Sequence, residues 1–214
     1  MIFDLHIHTI ISSQCSSIDP VECIESAIAR GLDGICVTEH DTIEGAEVVK
    51  DIAAGYKELT VLSGIEVTSR EGHLLVYGCK KDFPGVLPAG EIIKIVDSEG
   101  GLVVPAHPWR TPFGWYCGVL NKPVEETDFP DLFKIIESCS GSSSPEQNQK
   151  AASYCEKTGS FGIGGSDAHL VKDIGCCVTV FEDKIHNEEQ LVVALRSGRY
   201  EARINSHYYE AWEG

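Results

Sequence analysis

Short apolar runs rich in Ile, Val and Leu alternate along this chain with longer segments of helical period, the pattern of a parallel sheet wrapped by helices. The runs predict strands over residues 2–8, 34–39, 60–67, 73–78, 102–106, 132–137, 161–165 and 176–181. The periodicity between them predicts helices over 21–30, 43–54, 90–99, 145–158 and 188–197. The first helix is punctuated at both ends. Asp19 is placed to cap its free amides, Pro20 fits the first helical position because its ring presets φ, and Gly31 closes it. Gly198 stands where the last helix needs a C-cap. Residues 109–131 obey neither period. With Trp109, Arg110, Phe113, Trp115, Tyr116 and three prolines they form an unusually long connection, readable as a lid or substrate wall or as a cap over one end of the domain. The aromatic tail Tyr208–Trp212 can pack on the body or on a second subunit.

Composition narrows the picture. The 214 residues, 43% hydrophobic and 23% charged, suffice for one globular domain over 1–214 with a full core. No apolar run approaches a membrane span, and Met1-Ile2-Phe3-Asp4 has neither the basic nor the apolar part of a secretion signal. The expected location is the cytoplasm, with no membrane partner. The nine cysteines contain no Cys-x-x-Cys pair, which argues against a zinc ribbon or a thioredoxin-like site and for thiols that are mostly reduced and buried. A formal charge of -16 disfavours polymeric nucleic acid, whose binding needs clustered Lys and Arg, and suits a protein that binds cations.

The candidate chemistry collects at strand ends. In Asp4-Leu5-His6-Ile7-His8-Thr9 the alternation of a strand puts His6 and His8 on one face, with Asp4 a step earlier. Paired imidazoles beside a carboxylate suit Zn, Fe, Mn or Ni, although two such histidines are often only hydrogen-bonded neighbours. The second strand runs into Glu39-His40-Asp41, the third ends at Glu66, and the next begins at His73. The fifth leads into His107-Pro108, the sixth ends at Glu137, and the seventh leads into Ser166-Asp167-Ala168-His169. Of eight histidines, only His186 and His207 lie away from strand ends, so the gathering is not scattered polarity. In a barrel of parallel strands these ends share the face on which such folds build active sites. Polar groups collected there are costly unless each is paired, and a metal cluster supplies the partners.

The ordered motifs Asp-Leu-His-Ile-His-Thr from Asp4, Thr-Glu-His-Asp from Thr38, Gly-Ile-Glu from Gly64, Ala-His-Pro from Ala106 and Gly-Ser-Asp-Ala-His from Gly165 resemble the polymerase and histidinol phosphatase (PHP) family of metal-dependent phosphoesterases. The likeness spans residues 4–169, and Ile174-Gly175 with Val178–Phe181 is similar to the C-terminal part of stand-alone members. It implies an α/β fold, a distorted (β/α)7 barrel with two or three divalent ions at the C-terminal ends of the strands. It also implies that His6, His8, Glu66 and Asp167 hold one ion, that Glu66 bridges to a second held by His107 and His73, and that His40 and His169 hold a third. Shortly after the first motif the family adds a carboxylate or histidine, where this chain has Ser12-Ser13-Gln14-Cys15. That departure implies either a binuclear centre or a third site completed by Cys15, water or substrate. Asp4 and Asp41 read as partners of ligating histidines, and Glu137 as another or as an ordinary strand-end carboxylate. Glu39 replaces the family's usual Asp conservatively.

The expected function is hydrolysis of a small phosphate ester of nucleotide, sugar phosphate or histidinol phosphate type, by water activated on Mn, Fe or Zn. Arg110 would bind the phosphate through its planar fork or form a surface ion pair. His40 or His169 would act as general acid if no third ion is held. The aromatic residues at 109–116 would suit a base or another planar group. Two other readings stay open: a hydrolase of carboxyl esters or amides, and a non-catalytic metal-binding module.

Overall fold

In the computed structural model, which describes residues 1–205 except Pro84, Phe113, 116–123 and 125–126, strands and helices alternate in the expected order. They are β1 (Ile2–Ile7), α1 (Pro20–Ala29), β2 (Gly34–His40), α2 (Glu44–Ala53), β3 (Thr60–Thr68), β4 (His73–Tyr77), α3 (Ala89–Ser98), β5 (Leu102–Pro105), α4 (Phe129–Leu132), β6 (Ile135–Ser140), α5 (Pro145–Thr158), β7 (Phe161–Gly165), β8 (Cys177–Phe181), α6 (Glu188–Ser197) and β9 (Tyr200–Ile204). Asp19 accepts from the Val21 amide at 2.8 Å, Pro20 opens α1, and Gly31 and Gly198 take left-handed φ values of 69° and 71°. The expected tail packing of Tyr208–Trp212 lies outside the described residues, as do Phe113 and Tyr116.

Seven strands form one sheet in the order β5-β4-β3-β2-β1-β8-β9, and β6 pairs with β7. A parallel bridge from Ile7 to Ala168 brings the β7 end against β1 and curls the whole into a half-barrel, the distorted α/β barrel expected from the sequence. The sheet is mixed rather than parallel throughout. β1, β2 and β3 run together, whereas β4 is antiparallel to both β3 and β5. This reversal has a use. Because β4 runs backwards, its first residue, His73, arrives on the rim where its neighbours end.

Alternation sorts each strand into an inner and an outer face. Leu62 in β3, Leu75 and Tyr77 in β4, Val104 in β5 and Ile163 in β7 point into the barrel and pack with Phe3 and Leu5. Leu191, Val192, Ala194 and Leu195 of α6 join the same cluster, closing the end of the barrel away from the histidines. Ile35 and Val37 face outward and pack with Ile24, Ala27, Ala46 and Val49 of α1 and α2. The two-residue step up the inner face then leads from Leu62 to Glu66 and from Tyr77 to His73.

β1 breaks that alternation, and the break corrects one expectation. Phe3 and Leu5 lie in the inner cluster while Ile7 lies in the outer one, and the pairing of β1 with β2 shifts register between Asp4 and Ile7. Such a bulge switches the faces of the residues beyond it. His6 and His8 therefore turn inward above Leu5, and Asp4 turns outward, away from the imidazoles.

Two elements were not foreseen, and one was misplaced. The sixth strand begins at Ile135 rather than 132, because Phe129–Leu132 coil into α4 and Phe133 joins an aromatic cluster. Within that cluster Trp115 packs on Phe129 and Phe133 at ring-centroid distances of 5.3 and 5.1 Å, and Trp109 on Phe129 and Tyr154 at 5.9 and 5.3 Å. Trp115 is fully buried there. The long connection thus caps one side of the domain with these indoles, Trp115 buried and Trp109 half-buried beside His107. No helix among the described residues is long and apolar enough to cross a membrane.

Candidate metal centre

Strand ends deliver every expected ligand to one rim. Glu66, at 1% exposure, is the hub. Its Oε1 lies 3.0 Å from His73 Nδ1, 3.2 Å from His107 Nε2 and 3.4 Å from His6 Nε2. Its Oε2 lies 3.3 Å from His8 Nε2 and 3.1 Å from His40 Nδ1. Asp167 Oδ1 faces His6 Nε2 at 3.3 Å and His8 Nε2 at 3.2 Å, and its Oδ2 accepts from Arg110 Nη1 at 2.8 Å. Three groups result in which potential ligand atoms lie within 4.8 Å of one another: His6, His8, Glu66 and Asp167; Glu66, His73 and His107; and His8, His40 and His169.

The tautomers are held from behind. His6 Nδ1 donates to Glu137 Oε1 at 3.0 Å, leaving Nε2 as a bare lone pair directed at the cluster. His8 Nδ1 lies 3.3 Å from Ser13 Oγ, and that hydroxyl donates to Glu39, so His8 Nε2 is presented in the same way. His169 Nδ1 donates to the Asp167 carbonyl at 2.9 Å. The two Nε2 atoms of His6 and His8 come within 3.1 Å of each other, and the buried Asp167 Oδ1 beside them makes no hydrogen bond. Lone pairs converging on one buried point repel unless a cation lies among them. The donor set therefore fits divalent metal.

The protonation tendencies describe the same imbalance. Burial works against a charged His6, yet Asp167, Glu137 and Glu66 outweigh it and hold its pKa well above the ordinary value. Burial alone would raise Glu66, but His6, His107 and His40 hold it well below the carboxylate range, and Asp167 is lowered in like manner by His6 and His8. Without metal, protons take the cation's place. Burial and the neighbouring His8 push the His169 pKa below its ordinary value.

Backbone geometry is spent here too. His107 and Asp167 adopt φ of 30° and 51°, conformations that cost a non-glycine residue roughly 1 kcal/mol or more. Glu137 holds the first of these, since its Oε2 accepts from the His107 amide at 2.7 Å. Glu137 thereby ties the ends of β1, β5 and β6 together through one carboxylate.

Two sequence readings change. Asp4 accepts from the amides of Ser166 at 2.8 Å, Gly175 at 2.7 Å and His6 at 3.2 Å, fastening β1 to the β7 end instead of supporting a ring. Burial pushes its carboxyl up to about 6 against the opposing pull of those bonds. Asp41 accepts from the Thr68 amide at 2.6 Å and hydroxyl at 3.1 Å, tying β2 to β3. Ser13 faces Glu39 and His8, whereas Cys15 Sγ lies 3.3 Å from His40 Nε2. The open side of the third group is thus beside Cys15, and a carboxylate at position 13 would abut buried Glu39. The Ser13–Glu39 support of His8 was missed, since nothing in Thr-Glu-His or Ser-Ser marks it.

Likeness to known proteins agrees with this geometry. An uncharacterized protein of Methanocaldococcus jannaschii, MJ1587, is 28% identical over 115 residues, covering 50% of this chain and 67% of its own length. Among solved structures, a two-domain protein of Bacteroides vulgatus containing a predicted PHP-like metal-dependent phosphoesterase superposes with a TM-score of 0.70 at 18% identity, covering 98% of this chain and 69% of that one. An amidohydrolase from Chromobacterium violaceum superposes with a TM-score of 0.65 at 19% identity, covering 95% and 98%. The PHP domain model matches residues 4–158 and the PHP-associated model residues 145–200. With most of its length accounted for by these two descriptions, the chain belongs to the PHP family of metal-dependent hydrolases.

Proposed function

We propose that this protein hydrolyses a small phosphate ester, of nucleotide, sugar phosphate or histidinol phosphate type, with two divalent ions of Mn, Fe or Zn and a third, weaker position. The observation that carries this reading is the sharing of Glu66 between two ligand groups with Arg110 at their edge. His6, His8, Glu66 and Asp167 would hold one ion, and Glu66, His73 and His107 the other. His40 and His169 would hold the third, with the Cys15 thiol beside His40. Bound divalent ions supply a water nucleophile at neutral pH and neutralise charge growing on phosphoryl oxygens.

The chain's own groups do the rest. Glu137 and Ser13 keep the protons of His6 and His8 on Nδ1, so that both Nε2 atoms stay turned to the centre. Arg110, steadied by Asp167 and with 27% of its side chain exposed, has the planar fork that suits a phosphate. That cation favours a phosphate ester over a neutral carboxyl ester or amide. The expected substrate is a small molecule, not a nucleic acid polymer or a membrane lipid. The expected location is the cytoplasm.

The reading is tested by supplying the metal-loaded protein with nucleotide, sugar, amino-alcohol and nitrophenyl phosphates, and in parallel with carboxyl esters and cyclic amides. Phosphate release that stops on chelation is expected. Turnover of the esters or amides alone would replace the proposal with the amidohydrolase reading, and metal binding without any turnover would replace it with a binding module.

A further inference from the structure

Outside the three ligand groups, a cavity of about 630 Å³ is lined by Cys139, Cys176 and Cys177 together with Ser138, Ser140 and Arg203. Cys139 and Cys177, 38 residues apart in sequence, place their sulfurs 2.9 Å from each other. Glycines make this approach possible. Gly164 pairs with Cys139 across the β6–β7 ladder, and a Cβ there would lie 2.3 Å from the Val178 carbonyl oxygen, so its bare backbone lets β8 cross close behind β7. A Cβ at Gly141 would fall 2.4 Å from Cys176 Sγ. Both paired thiols are buried, while Cys176 at the cavity wall is partly exposed. Small solutes that enter the cavity therefore meet sulfur.

We propose that Cys139 and Cys177 form a dithiol that closes reversibly to a disulfide between β6 and β8 when the protein meets a peroxide. In the first step the Cys139 thiolate sulfur attacks hydrogen peroxide. The O–O bond breaks, a sulfenic acid forms, and the departing hydroxide takes up a proton to leave as water. In the second step the Cys177 sulfur attacks the sulfenic sulfur. The S–S bond forms, the S–O bond breaks, and the hydroxyl leaves as water with the Cys177 proton. Two thiols and one peroxide give one disulfide and two waters; an external dithiol reverses the change. The bridge would fix the β6 bulge between Glu137 and Cys139, next to the carboxylate that positions His6 and His107.

The test treats the reduced protein with hydrogen peroxide, blocks remaining thiols by alkylation and maps the peptides by mass spectrometry. A cross-linked Cys139–Cys177 peptide that disappears with dithiothreitol is expected, together with a rise in Tm of about 10 °C for a loop of this length. Cys139→Ser and Cys177→Ser should each abolish the bridge, and Cys15→Ser should leave it. Alkylation of both Cys139 and Cys177 after peroxide treatment, or pairing of either with Cys176 or with another chain, would overturn the proposal. The map of the parent protein decides the pairing even if a serine variant does not fold.

Discussion

Glu66→Gln is expected to lower turnover about 1,000-fold or more while leaving the fold intact. The exchange is isosteric, so Leu62, Leu75 and the rest of the inner cluster keep their packing. What is lost is the charge that five imidazoles address, those of His6, His8, His40, His73 and His107. It is also the one carboxylate that two of the ligand groups share among the described residues. A neutral amide is a poor bridging ligand and its NH₂ would turn donors toward Nε2 atoms that need a cation. Metal content per chain should fall together with turnover, and circular dichroism should match the parent. Normal metal content with unchanged turnover would remove Glu66 from the centre.

Gly165→Ala is expected to disable the same centre by a purely steric route. A Cβ on Gly165 would lie 2.5 Å from His6 Cβ, 2.9 Å from the His6 amide and 2.9 Å from Glu137 Oε1. The two His6 atoms are fixed by the strand, and Glu137 Oε1, although at the end of its side chain, is held by His6 Nδ1 while its partner oxygen holds the His107 amide. Either β7 moves away from β1, which strains the Asp4 bonds to Ser166 and Gly175, or the His6–Glu137 pair is pushed apart. Overpacking of this kind costs about 1–3 kcal/mol, so the variant should melt several degrees lower and bind metal more weakly. As a contrast, Gly90→Ala in α3 has nothing within 4 Å of the new methyl and should leave metal binding as it was. Equal metal affinity in parent and Gly165→Ala would contradict the close fit assigned to this position.

The rim was legible because its ligand types sit where short apolar runs end, a position that alternation alone reveals. The motifs from His6 to His169 named the residues, but the supporting geometry needed three dimensions. The β1 bulge is invisible in Asp-Leu-His-Ile-His, where strict alternation puts Asp4 with the histidines. The backward run of β4 is equally hidden, since an apolar strand reads the same in either direction, and yet it is what brings His73 to the rim. β9 escaped notice because Tyr200-Glu201-Ala202-Arg203-Ile204 is an edge strand with little to bury. Glu137 could be read only as one of two things, and it proved to brace His6 and His107 at once. The indoles of Trp109 and Trp115 stand in a loop without period, and their packing on Phe129, Phe133 and Tyr154 could be seen only in three dimensions.

The most direct test of the metal centre is anomalous X-ray scattering from crystals of the manganese-loaded protein. The account predicts one peak enclosed by His6, His8, Glu66 and Asp167 and a second enclosed by Glu66, His73 and His107. Loaded crystals with no anomalous density at either position, and the imidazoles instead hydrogen-bonded to the carboxylates, would contradict it.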